Sequence, residues 1–243
     1  MDYMPSREID LGAPLLTRQE IIVNRLRDAV LRGYLKPGQK LDQNEIADML
    51  KVSRSPIREA LRTLAAEGLV ELIPHRGAVV AELSLDELEE ILVLRGVLEG
   101  MAARLALPKI DAERLKTLEA LLHQLSQTTD LDQWIELNHR FHHTIYQAAN
   151  RPRLLTLIDN LRNTITPYMR QFIASTEHMR EAAGSHQLIY EACVKRDPLL
   201  LEKETQAHLA AVSKGMVIYA KSQLAMPAEQ ARLTSIPQLA PPA

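Results

Sequence analysis

Apolar residues along most of this chain recur at steps of three and four, the period of helices with one buried face. Trp134, Leu137, Phe141, Ile145 and Ala148 make one such stripe, and Ile57, Leu61, Leu64 and Ala65 make another. Helix starts are marked by Ser, Thr or Asp with Glu or Gln three residues later, a pairing that satisfies orphan backbone amides reciprocally. The pattern occurs at Thr17–Glu20, Asp42–Glu45, Ser84–Glu87 and Asp130–Gln133, each ahead of an apolar run of helical period. The run VELIPHRGAVVAEL instead predicts two β segments around a Pro-His-Arg-Gly turn, a hairpin.

In order, a first helix is expected from Arg18 to Arg32, then a short extended piece, LKPGQKL. A second helix in QNEIADML, a turn at KVS and a third helix in SRSPIREALRTLAAEGLV follow. Pro56 falls in the first turn of that third helix, where its missing N–H does little harm, and Gly68 ends it. Three helices with a hairpin behind them make a winged helix-turn-helix. After Leu83 the strand signals stop, and six helical stretches are expected at roughly 85–106, 111–128, 131–150, 152–176, 180–196 and 198–222. Pro108, Pro152 and Pro198 punctuate them, and Thr166-Pro167 is expected to kink the fourth. The predicted fold class is therefore mainly α: an N-terminal arm over 1–16, a winged helix-turn-helix over 17–82, an all-α antiparallel bundle over 83–223 and a Pro-rich, flexible tail over 224–243.

Composition adds to this in three places. Aromatic residues are only 4% while Leu, Ala, Glu and Arg abound, which favours helices. Cys193 is the single cysteine, so no internal disulfide forms and a reducing compartment fits. The start MDYMPSREIDLG lacks the basic-then-apolar pattern of a signal peptide, and no apolar run approaches the roughly 18 residues of a membrane span. A cytoplasmic protein is the expectation. The net charge of −2 hides an asymmetry: residues 17–80 hold 11 Lys/Arg against 8 Asp/Glu, and the remainder 18 against 23. The basic excess of the first part fits a polyanionic partner.

The third helix has Ile57, Leu61, Leu64 and Ala65 inside and Arg54, Ser55 and Arg58 on its first turn and outer face. A recognition helix presents side chains to base edges in this way, and Arg suits a bidentate guanine contact. His75 and Arg76 at the wing tip are placed for phosphate or the minor groove, with Gly77 permitting the turn. The run PGQKLDQNEIADMLKVSRSPIREALRTLAAEGLVELIPHRGAVV resembles the N-terminal domain of GntR-family bacterial transcription regulators. By position, that resemblance implies DNA contacts from Arg54, Ser55 and Arg58, with Asn44 and the wing residues His75, Arg76 and Gly77 completing the set. Asn44 stands where relatives often carry Arg.

From LSLDELEEILVLRGVLEGMAARLA to about Tyr219 the chain resembles the FCD effector-binding and dimerisation domain of the FadR-like subfamily. Six helices point to its VanR-like branch. Two polar residues interrupt the stripe of the third bundle helix: Asn138 and His142 fall on its buried side. A buried polar pair costs a few kcal/mol unless satisfied. The resemblance supplies a partner, since many members hold a divalent metal through an Asp-x-x-x-His pair and one histidine from each of two later helices. The matching positions are Asn138, His142, His186 and His208, and Zn2+ or Ni2+ is the implied ion. Periodicity agrees, for His186 shares a face with Ile189, Tyr190 and Cys193, and His208 with Leu201, Thr205, Ala211 and Val212. Asn138 stands where Asp is usual, so the ion would keep nearly its full charge and attract an anion more strongly. His139 and His143, about 100° away, are expected to be solvated.

Arg95 lies within the stripe of Leu88, Ile91, Leu92, Leu98 and Ala102. It can pair with Glu99 one turn on, or, as the resemblance implies, face the effector cavity and hold a carboxylate by two hydrogen bonds. Tyr168 and Arg170 are expected to line the same cavity. The function expected is a homodimeric, ligand-responsive regulator, more in keeping with a repressor, that binds a palindromic operator in double-stranded DNA and senses a small organic carboxylate at the metal site. The competing readings are a metal-only sensor and a metal-dependent hydrolase. Against the hydrolase, no carboxylate is spaced to act as a base beside the histidines and no nucleophile motif appears. Metal occupancy is expected to fall as pH drops through about 6, near the ordinary histidine pKa.

Overall fold

The computed structural model describes residues 17–74, 77–174 and 176–224. The chain divides into two compact units between Val80 and Ala81.

In the first unit, α1 (Arg18–Leu31) is followed by β1 (Lys40–Leu41), α2 (Gln43–Leu50), α3 (Arg54–Ala66), β2 (Val70–Ile73) and β3 (Gly77–Val80). The strands form one antiparallel sheet in the order β1-β3-β2, with Leu41 opposite Ala78 and Ile73 opposite Gly77. The expected hairpin is thus joined by a third strand from the extended piece. Ile22, Val23, Leu26 and Val30 of α1 close over Ile57, Leu61 and Leu64 of α3 and over Leu41, Val70, Ala78 and Val80 of the sheet. Arg27 on α1 clasps Glu67 at the end of α3 through two hydrogen bonds of 2.8 and 2.6 Å. The turn between α2 and α3 passes through Lys51 in the left-handed region, φ 53°. His75 and Arg76 lie outside the described residues. Gly77 has φ +91°, a conformation that favours glycine at this turn.

The second unit contains α4 (Leu85–Ala106), a 3-10 turn (Leu107–Lys109), α5 (Ala112–Gln127), α6 (Leu131–Gln147), α7 (Pro152–Ile173), α8 (Thr176–Lys195) and α9 (Pro198–Leu224). No strand occurs among its described residues. α4 packs chiefly along α9, α5 against α6 and α8, and α7 against α4. Phe141, Ile145, Leu118, Ile158, Ile165, Ile189, Cys193 and Leu201 form the centre of one shared core. At Gly215, α9 comes close to α7, for a Cβ there would meet the Phe172 ring at 2.5 Å. α7 runs through Pro167 to Ile173, and α8 begins at Thr176, so this boundary lies a few residues earlier than expected. The predicted tail falls outside the described residues beyond Leu224. No described helix is long and apolar enough to cross a membrane.

The four capping signals all start helices, by two mechanisms. Thr17 and Ser84 form complete reciprocal boxes with Glu20 and Glu87. Asp42 and Asp130 accept backbone amides, from Asn44 and Glu45 and from Gln133, without the return bond. The Gln133 side chain instead accepts from the Thr128 hydroxyl at 2.6 Å.

Candidate functional site

The exposed start of α3 carries Arg54, Ser55 and Arg58 above the fully buried Ile57, Ala60, Leu61 and Leu64. Arg54 Nη1 donates to Asn44 Oδ1 at 3.4 Å, so the expected contributors from α2 and α3 meet at one place. Arg62 extends the row of exposed arginines by one further turn. The sequence reading passed over it, although the same four-residue step separates it from Arg58. Glu59 lies between the two and faces both, 3.4 Å from Arg58 Nε and 3.0 Å from Arg62 Nη1.

In the second unit, α6, α8 and α9 bring His142, His186 and His208 together. They are 2%, 0% and 6% exposed, and their ligand atoms lie within 4.8 Å of one another. His142 Nε2 is 3.1 Å from His186 Nε2, which is 2.8 Å from Asn138 Oδ1. Phe141 and Trp134 stand edge-on to His186 and wall the centre on the α6 side.

Partners at the outer nitrogens fix which ring atom carries each proton. Tyr146 donates its hydroxyl proton to Glu99 Oε2 at 2.8 Å and can then only accept from His142 Nδ1 at 3.2 Å. Ser185 donates to the Ala182 carbonyl at 2.8 Å and accepts from His208 Nδ1 at 2.7 Å. His142 and His208 therefore carry Nδ1–H and turn a bare Nε2 inward. His186 has a choice. A proton on Nε2 serves Asn138 but strands Nδ1, which is buried without a partner of its own. A proton on Nδ1 leaves Nε2 bare, with the Ala182 backbone near the ring. That choice sets three nitrogen lone pairs and an amide oxygen around one point. Electron pairs facing each other at such distances repel unless a cation lies among them. Two nitrogens each about 2 Å from one tetrahedral ion are about 3.3 Å apart, close to the spacing seen. The three histidines can hold a metal ion.

The rest of the site orients this donor set. Arg95 Nε donates to Glu99 Oε1 at 2.6 Å, and both residues are buried. A chain of contacts thus runs from Arg95 through Glu99 and Tyr146 to His142, a carboxylate-backed arrangement of the kind that fixes metal-binding imidazoles. Burial, with the positive charges of neighbouring groups, holds His142 and His186 well below the ordinary histidine range and brings His208 to about 3. All three are neutral near neutrality, as ligation requires. Burial and the Glu99 charge push the Tyr146 hydroxyl well above its usual pKa, so it stays a donor.

Two further expected site residues have partners of their own. Tyr168 accepts from the Leu83 backbone amide at 2.7 Å, and Arg170 pairs with Asp132 at 2.6 Å. The solvation expected for His139 and His143 is corrected: both are partly buried, because α7 covers that flank of α6 as well. Their rings lie 5.2 Å apart, and His143 Nδ1 is 3.6 Å from Asp159 of α7. Burial and the Arg162 charge bring His139 to about 3. Sequence reasoning missed Arg162, which is 5% exposed in the stripe of Ile158, Ile165 and Met169 on α7. It also missed Tyr146 and Ser185, each one turn or one residue from a predicted ligand.

A winged three-helix unit with an exposed basic helix start, in one chain with a helical unit enclosing a polar centre, defines the class of DNA-binding transcription regulators. Residues 18–80 match the family described as bacterial regulatory proteins, gntR family, and residues 90–211 match the FCD domain. The chain belongs to the GntR family of bacterial transcription regulators and carries a C-terminal FCD domain. It is 31% identical over 182 residues to the HTH-type transcriptional regulator McbR of Escherichia coli K12, covering 72% of this chain and 82% of that one. It is 30% identical over 209 residues to a probable D-xylose utilization operon transcriptional repressor of Paenarthrobacter nicotinovorans, covering 84% and 92%. The solved structure of E. coli McbR/YncC superposes with a TM-score of 0.73 at 26% identity, covering 86% of this chain and 100% of that one.

Proposed function

We propose that this regulator is a repressor whose hold on a palindromic operator is controlled by a small organic carboxylate bound at a metal ion in the FCD domain. His142, His186 and His208 are the nitrogen ligands, Asn138 is an oxygen ligand, and Zn2+ or Ni2+ is the ion the donor set suits. The observation that carries this reading is the convergence of three buried histidines, their ligand atoms within 4.8 Å of one another. With only neutral ligands the ion keeps its charge, and this favours an anion, whereas Arg95 is already paired with Glu99. Arg54, Ser55, Arg58 and Asn44 are the operator-reading residues, with His75, Arg76 and Gly77 at the wing. Repression is favoured by relatives: besides the xylose-operon protein, the HTH-type transcriptional repressor RspR of E. coli K12 is 28% identical over 194 residues.

An effector shifts the bundle only by the difference in its affinity for two arrangements. α7 offers a path for that shift, since its Tyr168 holds the backbone of Leu83 at the start of the second unit. Elemental analysis of untagged protein purified without chelator, then operator binding by gel shift with and without Zn2+ and a panel of carboxylates, tests the reading. Metal at about one ion per chain, with operator release by a carboxylate only in the loaded protein, is the expected result. Release by Zn2+ alone identifies a metal-only sensor instead. Absence of metal, with His186→Ala and His208→Ala still responding to effector, overturns the site assignment.

A further inference from the structure

α7 brings a second buried cation to the same interior. Arg162 carries an Nη2 that is buried with no hydrogen-bond partner. Among the described residues no carboxylate stands within ion-pair distance of it. The acids whose charge reaches it are engaged elsewhere. Glu99 receives Arg95 at 2.6 Å and Tyr146 at 2.8 Å, and Asp159 turns toward His143 at 3.6 Å. Desolvation and the neighbouring Arg95 pull Arg162 down to about 10, which leaves it cationic near neutrality. Its charge acts on His142, His186 and His208 alike, so it belongs to the same interior as the histidine centre.

The hydrogen bonds of this interior do not balance. Arg95 is paired with Glu99, whereas Arg162 keeps a buried N–H that nothing receives, and Asp159, the other acid whose charge reaches it, stands beyond ion-pair distance. A buried guanidinium N–H without an acceptor is a costly arrangement, and an acceptor from a bound ligand relieves it. Its fork of N–H groups suits a carboxylate. The histidine centre and Arg162 thus offer two places for the oxygens of one ligand.

Building on the carboxylate-effector reading above, we infer that Arg162 is the seat of a second anionic group and that the effector is a small dicarboxylate. One carboxylate lies at the histidine centre and the other on the Arg162 guanidinium. A monocarboxylate would leave Arg162 unpaired, so Arg162 is the residue that selects two-headed ligands.

The test uses the full chain loaded with one equivalent of Zn2+ and calorimetry near neutral pH. The probes are succinate, glutarate and adipate, each beside its own monoamide, which keeps the length and one carboxylate but loses the second charge. Wild type should bind at least one diacid about tenfold or more tightly than its monoamide, the worth of one charged hydrogen-bonded contact. Arg162→Met should bring that ratio to near unity without lowering the thermal midpoint of the ligand-free protein, since a buried N–H without an acceptor is removed. Arg162→Lys should keep part of the preference, having the charge without the fork. Should Arg162→Met not fold, Arg162→Gln carries the same comparison. Equal binding of diacid and monoamide by wild type, or a preference that survives in Arg162→Met, overturns this inference and leaves the carboxylate reading standing. Failure of wild type to bind any diacid or monoamide overturns both.

Discussion

Tyr146 makes two demands on one hydroxyl: it gives its proton to Glu99 and takes one from His142. Replacing it with Phe removes the acceptor that keeps the His142 proton on Nδ1, while changing the packed volume by one oxygen. Tyr146→Phe should weaken Zn2+ binding by about 10–100-fold, as loss of such orienting groups does elsewhere, measured by competition with a chromophoric chelator. Unchanged affinity would mean that Glu99 and Tyr146 serve the core alone. The same burial sets the acid stability. His208 and His139 are held at about 3 in the folded chain, against 6.5 for an ordinary histidine, so the unfolded chain binds protons that the folded chain refuses. Stability from this source is complete above about pH 6.5 and is lost as pH falls from there toward about 3. Thermal midpoints of the metal-free protein should drop across that window, and a flat profile would contradict it. Direct protonation of the centre at about pH 6, expected from an ordinary histidine, moves to lower pH for the same reason. The sequence exposed Asn138, His142, His186, His208 and Arg95 as polar residues breaking apolar stripes. Arg162 breaks its stripe in the same manner, but no motif spacing draws attention to it. Tyr146 is harder to find, because an aromatic ring on a buried face is ordinary core until its hydroxyl partner is known.

Element starts were legible where a side chain closes a cap, and less so where packing alone decides. All four cap signals begin helices, whereas the first turn of α8, TEHMRE, is polar, and its apolar period begins only near Met179. β1 has two residues, too few for any alternation, and exists because β3 pairs with it. α3 was readable in full: its buried residues keep a helical step, and its arginines fall outside. Because Arg54 and Arg58 lie one turn apart on that exposed side, either one replaced by Ala should cost roughly 1–3 kcal/mol of specific operator binding. Arg58 has Glu59 to leave before it can meet DNA, so Glu59→Gln should tighten binding while Arg54→Ala loosens it. Fluorescence anisotropy on operator and scrambled duplexes checks both, and the assignment fails if the alanine variants bind operator as tightly as wild type.

At the scale of the whole molecule, the outer side of α4 carries three large exposed apolar residues, Val93, Leu94 and Val97. One winged helix contacts too little DNA for useful affinity, and two-fold dimers match palindromic half-sites. We propose a second copy of this chain seated on α4, which would cover these residues and supply the second winged helix. Light scattering should give a dimer off DNA. The pair Val93→Lys with Val97→Glu should give a folded monomer with much weaker operator binding. A wild-type monomer on and off DNA would end the proposal. The basic excess of residues 17–80 further predicts that operator affinity falls steeply with salt, through release of counterions from the duplex.

The chain contains one tryptophan, and it stands with its ring centre 6.2 Å from that of His186. Its light emission therefore comes from a single place, against the wall of the histidine centre. Zn2+ has a filled d shell and leaves an excited indole largely undimmed, whereas an open-shell ion such as Ni2+ or Cu2+ offers it a path to relax without emitting. The intrinsic glow of the unlabelled protein should thus distinguish which metal it carries, and should follow a ligand entering the site in real time.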